Sequence, residues 1–221
     1  MSLCPLCSHQ ADFFIQDKKR AFYLCLHCGL VFAAPSSHLL PNVERQRYGR
    51  ANKAAKQKQL SQFVFPLLAQ ITQQQPQTHL TGLNFGRVLD ENSIDEINAA
   101  GHTLNQYDPF FAANPEVLKQ DYDFVCCYRV FEHFRSPQKE WRLLSQLVRP
   151  GGWLAISTPL LSNLNQFAKW HYKTNPTHVS FYQQATFEYM AAVSGFDLLF
   201  ASKDFILMQK PSESDIKRNP I

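Results

Sequence analysis

Four cysteines near the start of the chain have the spacing of a metal site. They form two C-x2-C pairs, Cys4 with Cys7 and Cys25 with Cys28. Each pair can place two thiolates on one side of a tight turn, and four thiolates can surround one zinc ion at about 2.3 Å. The spacing predicts a zinc ribbon over residues 1–35, stabilised by the metal because so small a module buries too little apolar surface to fold alone.

Other roles for cysteine fit the sequence less well. A disulfide pair is not expected in a chain that shows no secretory leader, and a redox C-x2-C normally occurs as one pair rather than two. His9 and His27 lie close enough to replace a ligand, although four thiolates already complete the shell. Cys126 and Cys127 lie in an apolar run, and we expect them to be inert core residues.

Length and composition limit the class of protein. The chain has 221 residues, 45% of them hydrophobic, and a net charge of +4. This length allows one substantial core beside a small accessory module. No apolar run reaches the about 18 residues of a membrane span, so we expect a cytoplasmic protein without a membrane partner. The mild positive charge is compatible with a nucleic-acid partner but does not require one.

A basic segment lies within a predicted helical connector over residues 36–78. Residues 44–60 contain many more cations than anions and are rich in helix-forming Ala, Lys, Gln and Arg. Gly49 and Pro66 predict a break and a kink. The basic face contacts the phosphates of RNA or a nucleotide-linked substrate, or it is simply a solvated helix face. The second alternative is favoured because no aromatic stacking pattern accompanies the charges.

Short apolar strands alternate with helices over residues 79–210 and predict an α/β domain with a doubly wound, mostly parallel sheet. A polar tail is predicted over residues 211–221. The predicted strands are 80–85, 103–107, 123–130 and 153–157, followed by an antiparallel pair at 195–201 and 204–209. In such a sheet the ligand lies at the carboxyl ends of the strands.

Polar residues lie at these predicted strand ends. Asn84 and Gly86 end the first strand, Asp108 ends the second, and Tyr128 and Arg129 end the next. An acidic residue at the end of the second strand can accept both ribose hydroxyls of a nucleoside, and Asp108 follows Gly86 at about the spacing used for this purpose. A lone Asp at a strand end is otherwise often a turn or helix cap.

Several motifs resemble those of class I methyltransferases that use S-adenosylmethionine (SAM), in the group whose catalytic domain follows a zinc ribbon. In chain order they are GHTLNQYDPFF (101–111), VFEHFRSP (130–137), LVRPGG (147–152), WHY (170–172) and NPTHVSFY (175–182). The resemblance implies a Rossmann-like methyltransferase fold. It also implies that the protein transfers a methyl group from SAM to an acceptor, either a small molecule or RNA.

The resemblance further implies roles for single residues. Asp108 would hold the ribose of SAM, and Phe110 would lie beside the adenine. The other implied cofactor-binding residues are Asn84, Gly86, Tyr128, Arg129, Glu132 and His133. The implied acceptor-side residues are Trp170, Tyr172, His178 and Tyr182. Of these, His178 is the predicted general base, because imidazole titrates near neutral pH. His133 can equally be a helix-start contact, and Trp170 a core residue.

The loop after the first strand departs from the family's Asp-x-Gly-x-Gly-x-Gly pattern. Asn84 replaces the acid, Gly86 is the one glycine left, and Arg87, Val88 and Leu89 stand where small residues are usual. Larger side chains fill ligand space, so we expect weak SAM binding that improves if the acid and glycine are restored. Two interpretations stand. One is an active methyltransferase with an unusual loop, and the other is a catalytically inactive domain that serves as a zinc-containing binding or scaffold module.

Overall fold

The computed structural model describes residues 2–49, 53–74 and 79–212. Its strands are β1 (Ser2–Leu3), β2 (Gln10–Gln16), β3 (Ala21–Leu24), β4 (Val31–Ala33), β5 (Thr81–Phe85), β6 (Thr103–Tyr107), β7 (Tyr122–Tyr128), β8 (Val148–Ser157), β9 (Ser180–Phe181), β10 (Asp197–Ser202) and β11 (Phe205–Gln209). Its α-helices are α1 (Pro41–Gly49), α2 (Lys53–Gln74), α3 (Glu91–Ala99), α4 (Pro137–Leu147) and α5 (Gln184–Ser194). Residues 213–221, most of the predicted polar tail, lie outside this description, as do residues 50–52 and 75–78 of the predicted connector.

The larger sheet has the order β10-β11-β8-β7-β5-β6. Neighbours from β6 to β8 pair in parallel, and β11 and β10 add antiparallel strands at one edge. The predicted fold class, a doubly wound and mostly parallel sheet, is therefore confirmed. No helix in the described part of the chain is both long enough and apolar enough to cross a membrane.

Helices cover both faces of this sheet, as expected of a doubly wound fold. Successive side chains of a strand point to opposite faces. Phe124 and Cys126 pack in a core with the α2 side chains, whereas Val125 and Cys127 pack in a core with α4 and α5. All four side chains are fully buried, so Cys126 and Cys127 are core residues as expected.

Helix boundaries follow local signals. The carboxylate of Asp90 caps α3 by accepting from the backbone N–H of Ser93 at 2.8 Å, as an N-cap side chain does. Helix α1 ends at Gly49, where the sequence predicts a break, and α2 continues through Pro66. One stripe of α2 faces the sheet, and its buried residues are Leu60, Val64, Leu67, Leu68 and Ile71.

The smaller sheet belongs mostly to the predicted ribbon but is completed by a distant segment. Its order is β1-β2-β3-β4-β9, and all neighbours are antiparallel. In the β4–β9 ladder, Val31 pairs with Phe181 and Phe32 pairs with Ser180. The Lys173 ammonium also lies 2.9 Å from the Asp17 carboxylate. The cysteine-bearing module is thus joined to the α/β domain through shared backbone pairing and an ion pair.

Candidate active site

A cleft of about 690 Å³ lies at the carboxyl ends of the parallel strands. Its walls come from α1, the first half of α2 and the segments that follow β5, β6 and β7. Among the predicted cofactor-binding residues, those that line it are Gly86, Asp108, Phe110, Arg129 and His133. Asn84, Tyr128 and Glu132 are not among the residues that line it. The structure thus brings together the ends of three strands that the sequence marked as a ligand site.

Asn84 stabilises the loop after β5 from beneath. Its side chain is fully buried, and its Nδ2 donates to the carbonyl oxygen of Arg87 at 2.6 Å. The Cys126 thiol lies 3.7 Å from the Asn84 Oδ1. The side chain is therefore engaged within the protein rather than directed at the cleft.

Gly86 is required by both its conformation and its surroundings. Its φ of +93° lies in the region that residues with a side chain rarely adopt, and a Cβ there would stand 2.3 Å from Cγ2 of Val130. The backbone N–H of Gly86 donates to the Tyr107 carbonyl at 2.7 Å, which fastens the loop to the neighbouring strand. The one glycine that the loop retains stands where close packing leaves no room for a side chain.

Arg87 joins this loop to the end of β7. Its Nε donates to the carbonyl of Tyr128 at 2.9 Å, and its Nη2 donates to the carbonyl of Arg129 at 3.0 Å. The Tyr128 ring packs away from the cleft against Phe63 of α2, with ring centroids 5.4 Å apart. Arg87 also lines the cleft, so it both occupies space there and links the ends of β5 and β7 by hydrogen bonds.

Asp108 combines a turn-capping role with a place in the cleft. Its Oδ1 accepts from the backbone N–H groups of Phe110 at 2.7 Å and Phe111 at 2.9 Å. Among the described residues no donor reaches its Oδ2. Burial raises the pKa of Asp108, although the two N–H groups and the charge of Arg87 oppose the shift. One carboxylate oxygen is thus available to a ligand, and both functions expected of this residue are compatible.

Helix α1 forms a wall of the cleft that the sequence did not reveal. The Tyr48 hydroxyl donates to Oε1 of Glu44 at 3.0 Å, and the buried Glu44 also pairs with Arg135. The Tyr48 ring lies 5.9 Å from that of Phe110 and 5.4 Å from that of His133, centroid to centroid. The available signal was the spacing of Glu44 and Tyr48 by one helical turn, but only the tertiary structure places that turn over the strand ends.

The two histidines of the predicted site have different positions. His133 lines the cleft, and its Nδ1 lies 2.9 Å from the Thr177 carbonyl, so that nitrogen donates and Nε2 is an acceptor to which no residue in the described part of the chain donates. His178 is not among the residues that line the cleft. Its Nδ1 donates to the Tyr172 carbonyl at 2.8 Å, and its Nε2 lies 3.1 Å from the amide nitrogen of Asn175. Both ring nitrogens of His178 are engaged.

Protonation of these rings is disfavoured. Burial lowers the pKa of His133 to about 4, against the opposing effect of the Glu132 charge. Burial likewise lowers the pKa of His178. Both imidazoles are therefore neutral at neutral pH.

A buried polar network lies behind His133. Glu132 accepts from the Tyr172 hydroxyl and from Oγ1 of Thr158, the latter at 2.9 Å. Burial acts to raise the pKa of Glu132, but the charge that His133 carries when it is protonated and the Tyr172 hydrogen bond outweigh burial, and the pKa is lowered. The carboxylate remains ionised next to the imidazole of His133.

The remaining predicted acceptor-side residues lie in packed surroundings. The Trp170 ring lies 5.3 Å from that of Tyr172 and 5.9 Å from that of Phe181. Tyr182 is fully buried and donates its hydroxyl to the Phe131 carbonyl at 3.2 Å. Trp170, Tyr172 and Tyr182 are not among the residues that line the cleft. These aromatic side chains support the cleft wall from behind.

The four N-terminal cysteines converge as their spacing predicted. Their sulfur atoms all lie within 4.8 Å of one another. The sulfurs of Cys4 and Cys28 are 3.6 Å apart, and those of Cys7 and Cys25 are 3.4 Å apart. All four are free thiols. The separations resemble those between sulfurs about 2.3 Å from a common tetrahedral centre.

A family model described as a methyltransferase domain matches residues 65–200. The chain belongs to this methyltransferase family. The match begins within α2 and ends in β10, so it includes every strand end that lines the cleft. The prediction of a SAM-dependent methyltransferase is confirmed at the level of the family. No curated protein sequence matches this chain.

Solved structures with a similar fold include an N-methyltransferase. The 1,6-didemethyltoxoflavin-N1-methyltransferase of Burkholderia thailandensis, solved with 1,6-didemethyltoxoflavin and S-adenosylhomocysteine, is 12% identical with a TM-score of 0.52. That match covers 91% of this chain and 100% of the other. An O-methyltransferase family protein from the same organism is 16% identical with a TM-score of 0.46, covering 66% of this chain and 48% of the other. This methyltransferase therefore spans about half the length of the second protein. At these identities the likeness concerns the fold.

Proposed function

We propose that this methyltransferase binds SAM in the cleft, with its ribose at Asp108, and transfers the methyl group to an acceptor that enters the same cleft. The observation that carries this proposal is the free Oδ2 of Asp108 at the end of β6, beside Gly86 and Phe110. A buried carboxylate oxygen is a strong acceptor for ribose hydroxyls. Phe110 and Tyr48 offer aromatic surface to the adenine at the same end of the cleft.

His133 is the proposed proton acceptor, a role that the sequence suggested for His178. SAM supplies an electrophilic methyl group on a charged sulfonium, so the chain must position an acceptor atom and take up its proton. His133 lines the cleft, its ring is neutral at neutral pH, and no described residue donates a hydrogen bond to its Nε2. The Glu132 carboxylate lies next to it and stabilises the imidazolium when it forms. For His178 we propose a positioning role, since its hydrogen bonds fix the Tyr172 and Asn175 segments.

We further propose that Cys4, Cys7, Cys25 and Cys28 hold one structural zinc ion. Four thiolates and no other ligand match a closed structural zinc site rather than an open catalytic one. The ion would fasten β1 and the turns beside it. Metal analysis of the purified protein is expected to give one zinc per chain.

Calorimetric titration with S-adenosylhomocysteine tests the SAM site. Asp108→Asn keeps an oxygen for the N–H groups of Phe110 and Phe111 but removes the charge that faces the ribose. Because a hydrogen bond to a charged group contributes about 1.5–3 kcal/mol, affinity should fall by about tenfold or more. Glu116→Gln, at an exposed acid on the segment after β6, is the matched control and should bind like the wild type.

Two results would count against the proposal. Unchanged affinity in Asp108→Asn would mean that the nucleoside binds elsewhere on the protein. Failure of the wild type to bind S-adenosylhomocysteine at all would favour the alternative in which the domain is an inactive binding or scaffold module.

A further inference from the structure

The turn between β2 and β3 is built around one carboxylate. Oδ1 of Asp17 accepts from the backbone N–H groups of Lys19 at 2.9 Å and Arg20 at 2.8 Å. The N–H of Asp17 donates to the Arg20 carbonyl at 2.9 Å. An aspartate that accepts from the backbone two residues on stabilises a turn locally. Because the turn uses only Oδ1 of Asp17, its Oδ2 and the Arg20 side chain can contact another segment.

Both groups reach residues 173–178, which lie between β8 and β9. Nη1 of Arg20 donates to the His178 carbonyl at 2.9 Å, and Nζ of Lys173 donates to Oδ2 of Asp17 at 2.9 Å. Arg20 is 7% exposed and Lys173 is 5% exposed, so both cations are buried. The hairpin of the cysteine-bearing module thus holds this segment at its first and its last residue.

The burial of Arg20 is not explained by stability alone. Its Nη2 has no hydrogen-bond partner among the described residues, and its guanidinium lies 5.0 Å from the centroid of the Phe22 ring. A buried N–H without a partner costs free energy, and an apolar side chain in place of a buried charge often leaves a protein equally stable. Within the described part of the chain, the side chain of Arg20 makes one hydrogen bond, to the His178 carbonyl. This points to a role in placing that carbonyl.

The segment held in this way contacts His133 at its ring and at its backbone. Immediately before His178, the buried Thr177 offers its carbonyl to Nδ1 of His133 at 2.9 Å. Immediately after His178, the N–H of Val179 donates at 2.8 Å to the carbonyl of Glu132, in the peptide bond that leads to His133. The peptide groups that fix His133 are therefore neighbours of the carbonyl that the β2–β3 turn binds.

We propose that Arg20 is a positioning residue for His133, acting through the backbone of Thr177 and His178. The inference rests on the proposed function, in which Nε2 of His133 takes up the proton of the methyl acceptor. A neutral imidazole carries one proton, and the nitrogen that donates to a carbonyl is the one that keeps it. While the Thr177 carbonyl is held in place, Nε2 can accept a proton. When that carbonyl moves, the ring can adopt the other tautomer, whose Nε2 already carries the proton.

The cysteine-bearing module then contributes to the chemistry without lining the cleft. None of the described residues 2–35 is among those that line it. The contribution of the module is to the tautomer of one imidazole, and this tautomer can be measured without knowing the methyl acceptor.

Nuclear magnetic resonance on the full-length protein, labelled with ¹⁵N at histidine, tests the proposal. Long-range ¹H–¹⁵N spectra distinguish a protonated from an unprotonated ring nitrogen, and His133→Gln identifies the signals of this ring. At neutral pH the wild type should show a single tautomer of His133, with Nε2 unprotonated. Arg20→Met should lose that single tautomer, so that both ring nitrogens report an average of two tautomers. Its urea midpoint should stay close to that of the wild type, which a merely structural role for Arg20 does not predict.

Lys19→Met is the matched control, because Lys19 is an exposed cation of the same turn and the change in net charge is the same. This control should leave the His133 signals unchanged. Asp17→Asn is a second test variant, since its side-chain oxygen can still accept from the turn while the ion pair with Lys173 is lost. It should shift the His133 signals in the same direction as Arg20→Met but less, because it releases only the far end of the segment.

The inference is overturned if the wild type itself shows two tautomers of His133, or if folded Arg20→Met keeps the single wild-type tautomer. It is also overturned if Lys19→Met changes the signals to the same extent. Should Arg20→Met not fold, unchanged His133 signals in Asp17→Asn overturn it.

Calorimetric titration with S-adenosylhomocysteine separates this inference from the proposed function. Arg20→Met and Asp17→Asn should bind S-adenosylhomocysteine with wild-type affinity, since neither residue lines the cleft. If the wild type does not bind S-adenosylhomocysteine, the proposed function is rejected, and the tautomer of His133 in the variants still decides whether Arg20 positions the ring. If the wild type binds it and the tautomer does not respond to Arg20→Met, this inference alone is rejected.

Discussion

The cysteine module and the loop after β5 are two proposed ligand sites that are encoded in different ways. In the cysteine module the ligands lie within two short turns, and the spacing along the chain already brings four sulfurs within 4.8 Å. In the β5 loop the family pattern is altered, and the contacts that shape the site come from β7, α1 and α2. Local spacing encodes the first site, and tertiary packing encodes the second.

The difference teaches how far a motif can be altered before a site is lost. A thiolate shell has no substitute for a missing sulfur, since each ligand fills one corner of a tetrahedron. In the β5 loop, Asn84 and Arg87 stand where the family pattern has an acid and a small residue, and both make polar contacts within the protein. The cysteine module should therefore be the more sensitive of the two to a single substitution.

The largest effect is expected from Cys25→Ser. Loss of one of four thiolates should release the zinc and unfold the N-terminal module, since metal binding supplies the folding free energy of such modules. Metal analysis and urea unfolding measure the two effects. Cys127→Ala, at a buried cysteine of the large sheet, should keep the metal. A folded wild type that contains no zinc would contradict the proposed metal site.

A smaller but substantial effect is expected from Asn84→Asp. The variant places a carboxylate at a fully buried position and loses the donor to the Arg87 carbonyl. Burying an uncompensated charge costs about 3 kcal/mol or more, so the urea midpoint should fall and SAM affinity should not improve. Asn98→Asp, on the exposed side of α3, is the control. A stable variant with tighter binding would show that the loop still works by the family pattern.

Gly86→Ala should destabilise the protein by about 1–3 kcal/mol, the usual range for strain at such a position. Two causes contribute, the positive φ and the close approach of Val130. The double variant Gly86→Ala with Val130→Ala should recover the part due to crowding and leave the part due to φ. Gly49→Ala, where a Cβ meets nothing within 4 Å, should cost nothing. Equal stability of the Gly86 and Gly49 variants would show that the loop is looser than described.

The last effect is a dependence of stability on pH. The pKa of His133 is about 4 in the folded protein, below the about 6.5 of an unperturbed histidine. Because the unfolded state binds the proton more readily, stability is complete above about pH 6.5 and falls as the pH drops toward 4. His133→Gln should flatten this fall in urea midpoints, whereas His171→Gln, at an exposed histidine, should not. An unchanged pH profile in His133→Gln would mean that a group other than His133 causes the loss of stability.

The sequence predicted most of the fold, because strands, helix caps and breakers are local signals. The strand that ends before Asp108 has its predicted bounds, residues 103–107. The site was predicted in part. Asp108 and Gly86 were found because strand ends converge in a parallel sheet.

The misplaced or missing parts of the site depend on non-local contacts. The tie from Arg87 to β7, the α1 wall with Tyr48 and the engaged ring of His178 each involve partners from other segments or an orientation set by tertiary packing. No periodicity or spacing in the chain reports which of two nearby histidines faces the cleft. Residues that a family resemblance assigns to one site can therefore differ in whether they line the cleft.

The β4–β9 ladder has a bearing on how the chain is synthesised. Val31 emerges from a ribosome long before its partner Phe181, and contacts between such distant segments are slow to form. Until then β4, a fully buried apolar strand in the finished protein, presents an unpaired edge to other chains. Unpaired edges seed aggregation. The nascent chain is thus most in need of chaperone protection between synthesis of its cysteine module and synthesis of residues 180–181.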